Sequence, residues 1–548
     1  MRPTSTAFFL TLAFLTTAAL SEDSAGSGSA GSSGNLETVD TVDVDSTTDS
    51  DTIVNTPEHE PIISEDDQLN QLGLPQQDVL KVLSDDINID INNDIDNDNR
   101  HQIAIIGAGV SGSSAAHHLK EYGGENVAIT VFEKEDHVGG RSTTIDVDGY
   151  PVELGGAIFV DSNSVLKKGL QDYNLSLNAK EQPRNGMGVW NGDGFDFIGF
   201  KGNKIIDMIK FFLHCGAGVW KMDKARKQVV DEFLHGYYNE DINFPFDDAS
   251  YGNFIPYHMN RYSTSILQST GASPEYFSFV KGVLRAIYGQ NVEQVQSWNT
   301  ILALTARGAN TVKGGFHQLF KKWIDTADAD LKLSTCVKSI CKLADTGKYE
   351  VTYQSDSDHA AEFKKVFDYV IIASPLRQSG IAFHNVTVDE SLYETEYVPL
   401  WMTVVKSKLK LSESPFFNDP ETPQTVVVNN ENAGFNNIVK IHYNETTAEY
   451  IYRLESAQPL KQQFLEQVFG EVLFKYEKHW LAYPYLKTIK GESIKLQLDK
   501  DAGLWNLNSF ERFTSTLETS ALVGASVAGL ITSNGGFNVT RISVPSPF

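Results

Sequence analysis

The chain is poor in cysteine, in basic residues and in long apolar runs, and each shortage removes a class of protein. Three cysteines in 548 residues, Cys215, Cys336 and Cys341, are too few for the disulfide framework that staples a small secreted fold. They read as buried apolar thiols. If Cys336 and Cys341 share one strand, their odd spacing sends them to opposite faces. Lysine and arginine number 45 against 71 acids, a net charge of −26, which disfavours a nucleic-acid partner. The apolar stretches 7–20 and 521–531 are 14 and 11 residues long, both short of a bilayer span. No spacing matches a metal site, and no Ser/His/Asp or Cys/His constellation or internal repeat stands out. The Asp/Asn run 90–98 lacks the central glycine and closing glutamate of a calcium loop.

What is present begins with a segment unlike the rest. Residues 1–21 carry one base, Arg2, then the apolar run, and end in small residues, the pattern of a cleaved secretory signal; an uncleaved anchor is the alternative. Residues 22–100 hold 20 acids against Lys81 and Arg100, with Ser/Gly-rich and Asn/Asp-rich text and little apolar surface to offset ordering entropy. A disordered acidic segment is expected there. Most of the chain's net negative charge, −18 of −26, belongs to it, so the acidity is no clue to a cationic substrate. Asn174, Asn385, Asn444 and Asn538 open glycosylation sequons, in keeping with a secretory-pathway protein.

The first chemistry-bearing stretch follows. Residues 103–106 form a short apolar run of the kind a buried parallel strand has, and Gly107, Gly109 and Gly112 follow at G-x-G-x-x-G spacing with Ala108, Val110 and Ser111 between them. A helical stretch 111–122 leads to a β-rich run ending in Glu133. Gly107 makes the tight turn, Gly109 admits a pyrophosphate to the backbone, and Gly112 allows close helix–strand packing. The helix N-terminus faces the phosphates and Glu133 takes a ribose hydroxyl, with Lys134 beside it. This β–turn–α–β–Glu order predicts a dinucleotide site.

Two further glycine pairs come next, in Gly139-Gly140-Arg141 and Glu153-Leu-Gly155-Gly156-Ala157. They suit backbone lying against an extended cofactor, with Arg141 either a fixed cation near its phosphates or the base of a surface salt bridge. G-x-G-x-x-G, a downstream Glu, G-G-R and E-x-G-G together resemble the FAD-dependent amine-oxidase-like flavoproteins. The resemblance implies FAD as the nucleotide, backbone contacts from Val337 on the adenine side, and closure over the nucleotide by Ala373-Ser374-Pro375.

Residues 181–304 are rich in aromatics at helical spacing, which fits the core of a helical subdomain or the wall of a long apolar pocket. Residues 331–341 read as one strand, 349–354 and 367–372 as others, so a doubly wound domain resumes after an insertion; 386–484 read as a second insertion. Near the end, Ser515-Thr-Leu-Glu518 reads as a capping box opening a small-residue helix, with Glu518 and Thr519 at an N-terminus suited to the flavin N1–C2=O edge.

Within that superfamily the chain resembles the prenylcysteine oxidases, or farnesylcysteine lyases. The residues are Ala286-Ile-Tyr288-Gly-Gln290, Val312-Lys-Gly-Gly315, His479-Trp480-Leu-Ala-Tyr483-Pro484 and Glu518-Thr-Ser-Ala521, within a similarity that runs from 101 to about 535. The acidic segment departs from the family pattern. The resemblance implies an α/β fold: a Rossmann-like FAD-binding domain (101–185, 305–385, 485–548) with an inserted α+β substrate domain (186–304, 386–484). It implies oxidative cleavage of S-farnesyl- or S-geranylgeranyl-cysteine by O2, in prenylated-protein breakdown, with non-covalent FAD and no metal. Tyr288, Trp480 and Tyr483 are pocket candidates; ordinary core packing serves them as well. A lysosomal, vacuolar or extracellular destination and peripheral membrane contact complete the expectation. An amine or polyamine oxidase of the same fold and a non-catalytic secreted flavoprotein stay open as alternatives.

Overall fold

A run of β-branched residues, Ile103, Ile105 and Ile106, cannot face water on either side, and it forms the central strand of a five-stranded parallel sheet. His101–Ile106 pairs with Val127–Phe132 on one side and Tyr369–Ile372 on the other; Asp330–Lys332 and Leu504–Asn506 complete the edges. Helix Val110–Gly123 crosses over between the first two strands, and the C-terminal helix Leu517–Asn534 packs along it. Their approach is close enough that a Cβ on Gly524 would lie 2.3 Å from the Ser111 carbonyl.

The computed structural model describes residues 99–178, 186–201, 203–238, 254–305, 310–356, 361–489, 494–499 and 503–535. The expected signal and nearly all of the acidic segment, and Asn538, lie outside the described residues. A second, seven-stranded sheet is built from Met187–Trp190, Phe195–Gly199, Tyr397–Ser407, Thr425–Val428, Asn437–Asn444, Glu449–Ser456 and Phe474–Pro484. Helices Lys204–Cys215, Gly218–Tyr237, Pro274–Tyr288 and Ser297–Thr305 lie beside it in sequence and share one apolar core with the parallel domain.

Three local expectations are corrected. Residues 331–341 are not one strand: Ser334 takes φ 48°, which ends Asp330–Lys332 in the parallel sheet and starts Thr335–Lys342 in a four-stranded sheet. Cys336 and Cys341 share that second strand but not opposite faces. A bulge between Val337 and Ser339 resets the alternation, so both cysteines pair with same-face partners, Gln354 and Glu350. Both are half-buried, and only Cys215 of the three is buried outright. Finally, the stretch after 181 opens with two short strands, Met187–Trp190 and Phe195–Gly199, before its helices.

Candidate functional site

The glycine turn is built as the spacing requires. Gly107 sits at φ +110°, and a Cβ on Gly112 would lie 2.0 Å from the Gly107 carbonyl. Glu133, 6% exposed, holds the turn from the second strand: Oε2 accepts from the Ala108 N–H at 2.7 Å and Oε1 from the Glu135 N–H at 2.9 Å. Burial raises its pKa, and these two backbone donors pull the other way.

This turn forms one end of a cavity of about 740 Å³. Of the residues expected at the nucleotide, Gly107, Gly109, Val110, Ser111, Glu133, Lys134, Gly140, Arg141, Gly156, Ala157, Val337, Ser374, Glu518 and Thr519 all line it. Ala108 and Gly112 do not; they stand behind the lining and shape the turn. The residues fit the FAD that the resemblance implies. Gly109 leaves its Cβ position open to within 4.0 Å of the Gly140 Cα, so backbone meets backbone with room for a phosphate chain. Ser374 Oγ and Gln378 Oε1, both on this wall, are buried without a protein partner among the described residues.

Arg141 is not a surface salt bridge. Its Nη2 is paired with Glu511, a buried acid, and its Nη1 donates to the Ala482 carbonyl at 2.7 Å. Tyr397 donates to the other Glu511 oxygen at 3.1 Å. The pair therefore ties the glycine loop to the strand Phe474–Pro484 and to the segment before the C-terminal helix.

That helix is capped differently from the expectation. Thr516, extended at φ −135°, accepts from the Thr519 N–H at 3.1 Å, and the Thr519 hydroxyl accepts from the Thr516 N–H at 3.2 Å. The box is Thr516/Thr519, not Ser515/Glu518. The Glu518 carboxylate is turned instead toward another helix, Ser164–Asp172. It accepts from the Val165 and Leu166 N–H groups at 2.9 and 3.0 Å, and from the Tyr238 hydroxyl at 2.9 Å. Burial raises its pKa to about 7 against those donors.

The other end of the cavity belongs to the seven-stranded sheet and its helices. Tyr288, Trp480 and Tyr483 all line it. Tyr288 and Tyr483 meet edge to face with centroids 5.3 Å apart. Gln290 explains why: it donates to the Pro484 carbonyl at 3.2 Å and accepts from the Leu486 N–H at 2.9 Å. Val230, Phe233, Leu234, Ile287, Trp298 and Leu302 give this end an apolar wall. Two charged residues from Glu449–Ser456 break it, Arg453 and Glu455. Arg453 Nη1 donates to the Glu153 carbonyl at 3.0 Å, and its Nε is buried with no acceptor among the described residues. Burial raises the Glu455 pKa, with Arg453 opposing. Neither residue stood out in the sequence, nor did Glu511 or Tyr397. No recognisable motif surrounds any of them.

Comparison with known proteins agrees with this architecture. A family model described as prenylcysteine lyase matches residues 201–542, and one described as an NAD(P)-binding Rossmann-like domain matches 105–172. Prenylcysteine oxidase 1 of Bos taurus is 29% identical over 455 residues, covering 78% of this chain and 87% of the relative. Farnesylcysteine lyase of Arabidopsis thaliana is 26% identical over 459 residues, covering 80% and 89%. Among solved structures, cyclohexylamine oxidase from Brevibacterium oxydans IH-35A superposes with a TM-score of 0.55 at 15% identity, covering 79% of this chain and 99% of that one. A putrescine oxidase bound to putrescine superposes with a TM-score of 0.53 at 15% identity, with the same coverage. At such identities the structural likeness speaks to the fold alone.

Proposed function

The chain belongs to the prenylcysteine lyase family, and from that premise we propose that it is an FAD-dependent thioether oxidase acting on S-prenyl-L-cysteine. The balanced reaction takes the thioether, O2 and water to prenyl aldehyde, free cysteine and hydrogen peroxide. One observation carries the reading: one cavity is lined both by the dinucleotide turn and by apolar helices, with Arg453, Glu455 and Lys478 of the seven-stranded sheet among its charged residues.

Bound FAD supplies a two-electron acceptor for hydride from the carbon between sulfur and the alkene. The protein's own part is placement. Val230, Phe233, Leu234, Ile287, Trp298 and Leu302 take the isoprenoid and keep bulk water from it. Arg453 and Glu455 offer one charge of each sign to the carboxylate and ammonium of the amino acid, and Arg453 Nε has a donor to give. Tyr288 and Tyr483, braced by Gln290, wall this polar end. The helix beginning at Leu517 presents the positive end of its dipole to the cavity, where it would favour negative charge on a flavin ring held there. No nucleophilic side chain is needed, because water itself adds to the electron-poor carbon, losing a proton, and the resulting hemithioacetal collapses to aldehyde and thiol.

The segments 101–185, 305–385 and 485–548 serve the cofactor, and 186–304 and 386–484 the substrate. We place the protein in the secretory pathway, ending in the lysosome or vacuole or outside the cell, in peripheral contact with a membrane. The signal-like residues 1–21 and the exposed sequons Asn174 and Asn385 support that route. The test is anaerobic mixing of purified protein with S-farnesylcysteine. The yellow absorbance should bleach and farnesal should form; a spectrum unchanged by farnesylcysteine but bleached by putrescine would replace this reading with an amine oxidase.

A further inference from the structure

Helix Lys204–Cys215 is oriented against expectation for a soluble surface. Its buried positions, Asp207, Phe211 and Cys215, form a narrow stripe. The broad opposite arc is apolar and faces out: Ile205 (52% exposed), Ile206, Met208, Ile209, Phe212 and Leu213 (78%). Beyond the turn at Gly216, Trp220 is 63% exposed at the start of helix Gly218–Tyr237. Scattered apolar residues on a surface need no explanation, but six on one helical arc with a neighbouring tryptophan do.

The charge around this face points to what covers it. Residues 201–227 hold seven Lys and Arg against two Asp, in a chain of net charge −26. Lys210, Lys221, Lys224 and Lys227 are exposed. A second copy docking through the same face would bring these lysines together. A surface with negative headgroups and an apolar interior meets both features.

We propose that helix Lys204–Cys215 and the start of helix Gly218–Tyr237 form an interfacial docking surface for an anionic lipid bilayer, with Ile205, Ile209, Phe212, Leu213 and Trp220 entering the acyl boundary. This deepens the peripheral contact proposed above and rests on that reading for its purpose. Helix Gly218–Tyr237 carries Trp220 at one end and the cavity residues Val230, Phe233 and Leu234 toward the other, about 15 Å on at 1.5 Å per residue.

Flotation of the full-length holoprotein with phosphatidylcholine vesicles, with and without phosphatidylserine, tests it. The wild type should float with the mixed vesicles, far less with phosphatidylcholine alone, and less as salt rises. Replacing Lys210, Lys221 and Lys224 by Gln should weaken binding about fivefold per lysine. Ile209→Glu with Leu213→Glu, both at exposed positions, should abolish flotation while leaving the flavin spectrum and unfolding midpoint intact. Wild-type protein that stays at the bottom of every gradient overturns the proposal, as does a double variant that still floats. A dimer in light scattering that the double variant dissolves also overturns it, in favour of a second copy. Flotation is read without turnover, and turnover of detergent-dispersed farnesylcysteine without vesicles, so either reading can fail alone.

Discussion

Tyr288 and Tyr483 meet edge to face, with ring centroids 5.3 Å apart and planes at 81°. One closes helix Pro274–Tyr288 and the other lies near the end of strand Phe474–Pro484, so the contact joins two short motifs that the sequence shows far apart.

Gln290 is the brace of this joint. Gln290→Leu leaves the Pro484 carbonyl and the Leu486 N–H unmet in a buried place, at roughly 1–3 kcal/mol for each. Denaturant unfolding should show a loss of roughly 2–6 kcal/mol, and the KM for farnesylcysteine should rise as the two tyrosines part. An unchanged unfolding midpoint would show that the side chain braces nothing.

Glu518 sets a pH dependence of unusual sign. Its folded pKa, about 7, lies above its ordinary value of 4.5. Between those values the folded protein binds the extra proton, so stability is highest at the acid end and falls as pH rises through the window. The contribution is ~3 kcal/mol at most. Glu153 is raised to about 7 by the same burial and adds a parallel slope. Glu518→Gln should therefore flatten, without abolishing, the fall in melting temperature from pH 5 to 7. A slope identical to wild type would refute the assignment.

Gly112 carries the geometry of the cofactor turn. In Gly112→Ala the new methyl meets the Gly107 carbonyl at 2.0 Å, which only movement of the helix off the strand can relieve. Purified protein should come with little or no bound flavin and a lower melting temperature, the signature of a backbone clash at a binding turn. Full flavin content at wild-type stability would contradict this.

Arg453 separates binding from chemistry. If Arg453 takes the substrate carboxylate as proposed, Arg453→Met removes a charged donor worth about 1.5–3 kcal/mol. The KM for farnesylcysteine should rise roughly 10- to 100-fold while kcat changes little, since the contact is the same in ground and transition states. A fall in kcat at constant KM would place Arg453 elsewhere in the reaction.

Some of this was written in the chain and some was not. Gly107, Gly109 and Gly112 were legible because a missing Cβ is a local property, and the turn needs it wherever the rest of the fold lies. The strand 103–106 was legible for a similar reason, since β-branched residues without alternation have no solvent face to offer. The strand Met187–Trp190 was not. It is four residues long and acquires its identity from Thr425–Val428, with which it pairs in parallel from a remote part of the chain. The cysteine faces were misread because a bulge is an insertion into a pairing, visible only once the partner strand is present.

Glu518 shows the division most clearly. Its place at a helix start was evident from the sequence, and an acid there suits the dipole. Which backbone it serves was decided by folding, which brought Val165, Leu166 and Tyr238 to it and left the capping to Thr516 and Thr519. Sequence by itself determined the nucleotide turn, because short-range backbone constraints are carried by the residues that obey them. Only the tertiary structure decided the other end of the cavity. There Arg453, Glu455, Tyr288 and Tyr483 converge through long-range packing, and no one of their segments encodes the meeting.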